Sequence, residues 1–231
     1  MKNRMLITGA NRGIGLEFVK QYLDRGWEVI ATCREPSQAK ELLELESQTG
    51  FLQIKKLDVT NEEDYLMLPS WLDDQSLDVV IANAGVYGGK TKTVHDLAVK
   101  TWLDVFHVNT IAPFLLARYT EQALKKSVNG KLIVITSKMG SIDDNGSGGS
   151  YIYRSSKAAL NAAGRSLAID WNNLGIAVGI FHPGWVQTDM GGPNALITVH
   201  ESVSNLIEQI DHLSLANAGR FLNYDGKVIP W

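Results

Sequence analysis

One cysteine, Cys33, stands alone in 231 residues, so no intramolecular disulfide can form. The five histidines show no metal-ligand spacing with it or with one another, so no metal is expected. Long hydrophobic runs are missing too. Nothing approaches the roughly 18 apolar residues that a membrane span needs, and Met5–Ile7 is too short for the core of a secretion signal. Charge of one sign is not in excess: 22 Lys+Arg stand against 25 Asp+Glu, a net charge of −3, which argues against nucleic acid or an anionic membrane as the main partner. Repeats, low-complexity tracts and Pro/Ser-rich linkers are also absent. With 45% hydrophobic and 20% charged residues, the composition is that of an ordinary globular protein. The expectation is a soluble, cytoplasmic chain forming a single domain over residues 1–231.

What the chain has is alternation. Short β-branched apolar runs (Met5–Thr8, Glu28–Thr32, Phe51–Leu57, Asp78–Ala82, Lys131–Thr136, Ile176–Phe181 and a piece at Arg220–Asn223) are separated by helically spaced stretches. Those stretches are Leu16–Arg25, Gln38–Gln48, Glu62–Asp73, Lys100–Lys126, Tyr153–Asn173 and Ala195–His212. Strand–helix alternation of this length predicts right-handed βαβ units: an α/β, Rossmann-type, doubly wound parallel sheet of about seven strands with helices on both faces. Runs such as Leu132-Ile133-Val134-Ile135 are continuously apolar, as in strands buried on both sides. Two flexible stretches, Ser141–Ser150 and Gly184–Asn194, follow strand ends, where the loops of such a sheet gather around a ligand crevice.

Directly after the first strand comes Thr8-Gly9-Ala10-Asn11-Arg12-Gly13-Ile14-Gly15. Residues without side chains let the backbone approach a pyrophosphate, and the following helix presents amide donors and its positive dipole end. The end of the second strand is where an adenosine ribose is usually read. There Arg34 suits a 2′-phosphate, and Arg12 can converge on the same group. NADP(H) is therefore the preferred cofactor. Glu35, which suits a free 2′-hydroxyl, keeps NAD(H) possible.

Tyr153 and Lys157 lie four apart at the start of a helix and so share a face. An ammonium beside a phenol favours the phenolate, and such a pair can exchange a proton with an alcohol oxygen. Tyr151 is six from Lys157 and does not share that face. Ser137 closes a buried strand, where its hydroxyl can orient a carbonyl oxygen. Asn109 is a polar amide among Val105, Phe106, Val108 and Ile111, which points to a water or backbone network.

Taken in order, Thr8-Gly-x-x-x-Gly-x-Gly15, Leu57-Asp58-Val59, Asn83-Ala84-Gly85, Asn109, Ser137, Tyr153-x-x-x-Lys157 and Pro183-Gly184…Thr188 resemble the short-chain dehydrogenase/reductase family across nearly the whole chain. The ending Gly219-Arg220-Phe221…Ile229-Pro230-Trp231 is similar to that of its compact carbonyl-reductase and C-factor-like subgroup. The resemblance implies an oxidoreductase that moves a hydride between NADP(H) and a carbonyl/alcohol pair. Tyr153 would be the acid/base, with Lys157 lowering its pKa and holding the nicotinamide ribose. Ser137 would hold the substrate oxygen, and Asn109 a water that relays protons towards Lys157. For the cofactor it implies Gly9, Asn11, Arg12, Gly13, Ile14 and Gly15 at the turn, with Arg34, Asp58 and Val59 towards the adenosine. Asn83, Ala84 and Gly85 would follow the fourth strand, and Pro183, Gly184, Val186 and Thr188 would line the nicotinamide pocket. Ser137 and Tyr153 are sixteen apart, a few more than is usual in the family, and the extra residues fall in the Gly/Ser loop.

Outside those motifs, His107 reads as a packed or surface histidine and His182 as one satisfied by backbone. Trp185 and Met190 read equally as an apolar substrate wall or as core and subunit contacts. The resemblance implies that the apolar faces around Val105, Leu115 and Leu116, and around Ala158, Leu160, Ala162 and Leu167, pack against a second subunit in a homodimer or homotetramer; packing against the sheet explains part of the pattern equally well. A second functional reading stays open beside the enzyme: a dinucleotide-binding sensor or signalling protein with little turnover.

Overall fold

The computed structural model describes residues 2–89 and 91–231. Seven strands form one parallel sheet: β1 (Arg4–Thr8), β2 (Glu28–Cys33), β3 (Leu52–Lys56), β4 (Val79–Ala82), β5 (Lys131–Ile135), β6 (Ala177–His182) and β7 (Phe221–Asn223). Their order is β3-β2-β1-β4-β5-β6-β7. The chain winds outward one way from β1, then crosses back to β4 and winds the other way. That reversal opens a crevice at the carboxyl ends of β1 and β4.

The continuous apolar runs are explained by two cores. Leu6, Val80, Leu132, Val134, Val178 and Ile180 face α4 (Leu68–Leu72), α6 (Ala112–Lys125) and α7 (Tyr151–Asn172). Their neighbours Met5, Ile7, Val79, Ile81, Ile133, Ile135 and Phe181 face α1 (Gly13–Asp24), α2 (Lys40–Gln48) and α8 (Val199–His212). Successive strand residues point to opposite faces, and here both faces are covered.

Three predicted helices differ from expectation, and local chemistry explains each. The stretch Glu62–Asp73 divides into α3 (Glu62–Tyr65) and α4 because Pro69 has no N–H to return to the Tyr65 carbonyl. The stretch Lys100–Lys126 is α5 (Val99–Phe106) and α6 joined by a π turn at His107–Ile111, and Pro113 likewise offers no N–H to the Asn109 carbonyl four residues back. The last helix starts at Val199 rather than Ala195: Leu196 and Ile197 donate their backbone N–H groups to the Trp185 carbonyl at 3.0 and 3.2 Å. Thr198 then caps the helix, its hydroxyl accepting from the Glu201 N–H at 3.1 Å.

Of the residues read as a subunit face, Val105, Leu116 and Leu160 are buried in the chain's own core, so their apolarity is explained without a partner. Among the described residues no helix is long and apolar enough to cross a membrane.

Candidate active site

The glycine turn leaves β1 and enters α1 at the crevice. Gly9 has a left-handed φ of +66°, and a Cβ there would lie 2.9 Å from the Ala84 Cα, so only glycine lets the turn pack against the end of β4. Asn83 staples the two together. Its amide donates to the Thr8 and Gly9 carbonyls at 3.0 and 3.1 Å, while the Thr8 hydroxyl accepts from the Asn83 and Ala84 N–H groups, both at 3.2 Å. No side chain caps the first turn of α1 and no acidic residue occupies it, leaving its amide donors and dipole end available to an anion.

Four polar side chains converge beside this turn. Ser137, 7% exposed at the end of β5, caps the turn Lys138–Gly140 by accepting from the Met139 N–H at 3.1 Å. Tyr153 and Lys157 project from the first turns of α7, and the Lys157 Nζ donates to the Ile135 carbonyl at 2.9 Å. Gly85 keeps this region open: a Cβ there would sit 3.4 Å from Asn109 Oδ1 and 3.7 Å from Lys157 Nζ. Asn109, fully buried in the π turn, donates to the Val86 carbonyl at 2.9 Å and to Ser156 Oγ at 3.0 Å, and accepts from the Val86 N–H at 2.9 Å. Its side chain thus serves a backbone network and fixes the segment after Gly85. Such π turns often mark functional sites.

The electrostatics differ from the sequence expectation. Burial pushes the Tyr153 phenol up to about 12, with the nearby Ser137 hydroxyl opposing the rise. Lys157 is pushed down to about 8 by its own burial. In the folded chain the phenol is therefore a proton donor at neutral pH, rather than a group whose pKa the ammonium has lowered: desolvation outweighs attraction. Tyr87 packs on Tyr153 with ring centroids 4.8 Å apart, and its hydroxyl bonds Ser150 at 2.8 Å. It forms a wall that the motif reading missed, although it lies only two residues past Gly85.

His182, at the end of β6, is also a correction. Its Nδ1 is buried without a partner among the described residues, and the ring is pushed down to about 4, by burial first and then by Lys138, with Asp144 opposing and Lys157 adding slightly. At neutral pH the ring is neutral folded or unfolded. Below its usual value of 6.5 the unfolded chain takes up a proton that the folded chain refuses, so stability falls as pH drops from 6.5 towards 4. This contributes about 3 kcal/mol of acid destabilisation. Urea unfolding at pH 7 and pH 4 should show a smaller loss for His182→Gln than for the wild type; equal losses would refute the assignment.

Both loops are tied down by contacts to distant parts of the chain. Ser141 Oγ and the Ile142 and Asp143 N–H groups donate to the Trp231 carbonyl at 3.3, 3.1 and 2.9 Å, which anchors the Gly/Ser stretch. In the other loop Val186 is buried and bridged to Ile197, the Pro183 carbonyl accepts from Ser202 Oγ at 2.5 Å, and Thr188 Oγ1 accepts from the Gly191 N–H at 3.1 Å. Gly184 has a positive φ of +88° at the head of this loop. Trp185 and Met190 are 51% and 52% exposed, so neither is a core residue. Arg12 reaches this loop as well, pairing with Asp189 at 2.7 Å. After the ends of β2 and β3, Arg34 is exposed and Val59 is buried. Asn11 and Ile14 flank Gly13 within the glycine turn. Among the described residues no group of three His, Cys, Asp or Glu is placed to hold a metal.

Residues 3–196 match the family model for short chain dehydrogenase. The chain is 39% identical over 155 residues to C-signal of Myxococcus xanthus, covering 67% of this chain and 93% of that one. Carbonyl reductase Sniffer of D. melanogaster superposes with a TM-score of 0.93 at 35% identity over 100% of both chains. The NADPH-bound carbonyl reductase from chicken fatty liver does so at 0.93 and 37%, again over 100% of both. The glycine turn at the sheet's switch point, the Ser137–Tyr153–Lys157 grouping and these similarities agree: the chain belongs to the short-chain dehydrogenase family.

Proposed function

We propose that the protein is an NADP(H)-dependent oxidoreductase interconverting a ketone or aldehyde with its alcohol, with residues 1–231 acting as one domain and 184–194 as its substrate loop. The observation that carries this reading is the buried Tyr153 phenol, with the Lys157 Nζ 5.9 Å from its ring centroid, beside Ser137 and the glycine turn. The uncapped start of α1 and the cationic end of β2 fit a dinucleotide phosphate, held by the turn Gly9–Gly15 with Arg34 and Asp58 towards the adenosine. Asn83, Ala84 and Gly85 shape the groove, and Pro183, Gly184, Val186 and Thr188 line its nicotinamide end. Bound there, the cofactor supplies the hydride. Ser137 donates a hydrogen bond to the carbonyl oxygen, Tyr153 transfers its proton to that oxygen as negative charge develops, and the Lys157 ammonium stabilises the phenolate left behind. Asn109 holds the Val86 backbone, and through it the groove floor, in place. Trp185 and Met190 supply an apolar rim. NAD(H) remains the weaker alternative cofactor.

The test is NADPH oxidation against a panel of aromatic, aliphatic and quinone carbonyls. The pH dependence follows from the two shifts. Reduction requires Tyr153 protonated, which holds up to about 12, and Lys157 charged, which holds up to about 8. The profile of kcat/KM should therefore be level near neutrality and fall about tenfold per pH unit above 8; a profile level to pH 10 would remove Lys157 from the mechanism. A second reading, a dinucleotide-binding signalling protein, draws support from the similarity to C-signal. Tight NADPH binding without turnover on any carbonyl of the panel would favour it.

A further inference from the structure

The carboxyl ends of β2 and β3 frame a cleft of about 540 Å³ lined by Arg34, Glu35, Lys56, Asp58, Asn61 and Asp64. Its acidic groups already have local donors. Asp58 Oδ1 accepts from the Thr60 N–H and hydroxyl at 2.9 and 2.8 Å, Asp64 accepts from the Asp58 N–H and the Asn61 amide, both at 2.8 Å, and Glu35 accepts from Gln38. The cations do not. Among the described residues, neither Arg34 nor Lys56 takes part in an ion pair or a side-chain hydrogen bond. Lys56 pairs in register with Cys33, the residue before Arg34, so the two cations rise from neighbouring strands on the rim of one cleft. Arg12 is occupied elsewhere, with Asp189.

We propose that Lys56 is a specificity-determining residue that, with Arg34, clamps the 2′-phosphate of the adenosine ribose from the β3 side. The assignment rests on the NADP(H) reading and deepens it. Two cations on separate strands can engage different oxygens of one dianion, Arg34 through its planar fork and Lys56 as a point charge. Glu35, Asp58 and Asp64 keep their negative charge although hydrogen-bonded, so both cations are needed to hold a dianion at this rim.

Isothermal titration of the cofactor-free protein with 2′,5′-ADP and with 5′-AMP isolates this contact from hydride chemistry. The wild type should bind 2′,5′-ADP the more tightly. Lys56→Gln should weaken 2′,5′-ADP about tenfold and leave 5′-AMP unchanged. Lys56→Arg should restore most of the difference, and added salt should erode it, since both cations are exposed. A Lys56→Gln protein that keeps full discrimination overturns the role of Lys56 while leaving the NADP(H) reading intact, and equal losses for both ligands overturn it as well. A wild type that does not discriminate overturns both.

Discussion

Tyr153→Phe should lose about 10²–10⁴ of the turnover for carbonyl reduction while retaining its fold and its affinity for NADPH. The ring stays against Tyr87, whose centroid lies 4.8 Å away, so the packing that positions α7 is kept. What disappears is one hydroxyl. Its proton is the one that the proposed mechanism gives to the developing alkoxide, while Lys157 stays charged beside it. Ser137 retains its bond from Met139 at 3.1 Å, so the surrounding loop has no cause to rearrange. Steady-state NADPH oxidation, with cofactor binding followed by fluorescence, separates the outcomes. Turnover above about a tenth of wild type would remove Tyr153 from the role of acid. Loss of cofactor binding in parallel would mark the change as structural.

Gly15→Ala should damage stability and cofactor binding together, and here the sign is instructive. In a helix, Gly→Ala normally stabilises by about 1 kcal/mol. A Cβ at Gly15, however, would stand 2.2 Å from the Gly9 carbonyl oxygen, 2.6 Å from Asn83 Nδ2 and 3.0 Å from the Ala10 Cα. None of these can yield cheaply. Asn83 Nδ2 is bonded to Thr8 and Gly9, and the Ala10 N–H donates to the Thr32 carbonyl at 3.0 Å. Overpacking of this kind costs about 3 kcal/mol or more, a fall of roughly 6–12 °C in Tm for a chain of this size. Because the displaced atoms form the proposed pyrophosphate turn, NADPH affinity should fall as well. Gly50→Ala is the control: a Cβ there meets nothing within 4 Å, so its stability should stay within about 0.5 kcal/mol of wild type. A Gly15→Ala protein as stable as that control would show that the turn tolerates displacement.

Some of this is legible in the residues alone. The β1–turn–α1 unit could be read because its signals are local: an apolar run, three spaced glycines and the start of a helical period. Tyr153 and Lys157 could be paired because four residues make one helical turn. Pro69 and Pro113 carried the breaks in two predicted helices, but helical spacing continued across both and concealed them. Arg12 illustrates the opposite case. Sequence proximity to the glycine turn suggested a partner for Arg34, whereas the loop carrying Asp189, 177 residues away, brings it a carboxylate. Lys56 gave no motif signal, since a lysine at the end of a strand is ordinary until the cleft beside it is seen.

Periodicity and glycine placement determined the parallel sheet, the crevice and the pairing of Tyr153 with Lys157, because each depends on neighbours within a few residues or on the strict alternation of a strand; Ser137, sixteen residues before Tyr153, joined them through the order of motifs. Protonation and pairing were decided only by the tertiary structure. Whether Tyr153 holds its proton, whether His182 finds a partner and which cations line the cleft beside β2 and β3 depend on desolvation and on contacts between distant segments. Those energies are set by how completely the surrounding chain excludes water, and a one-dimensional pattern does not carry them.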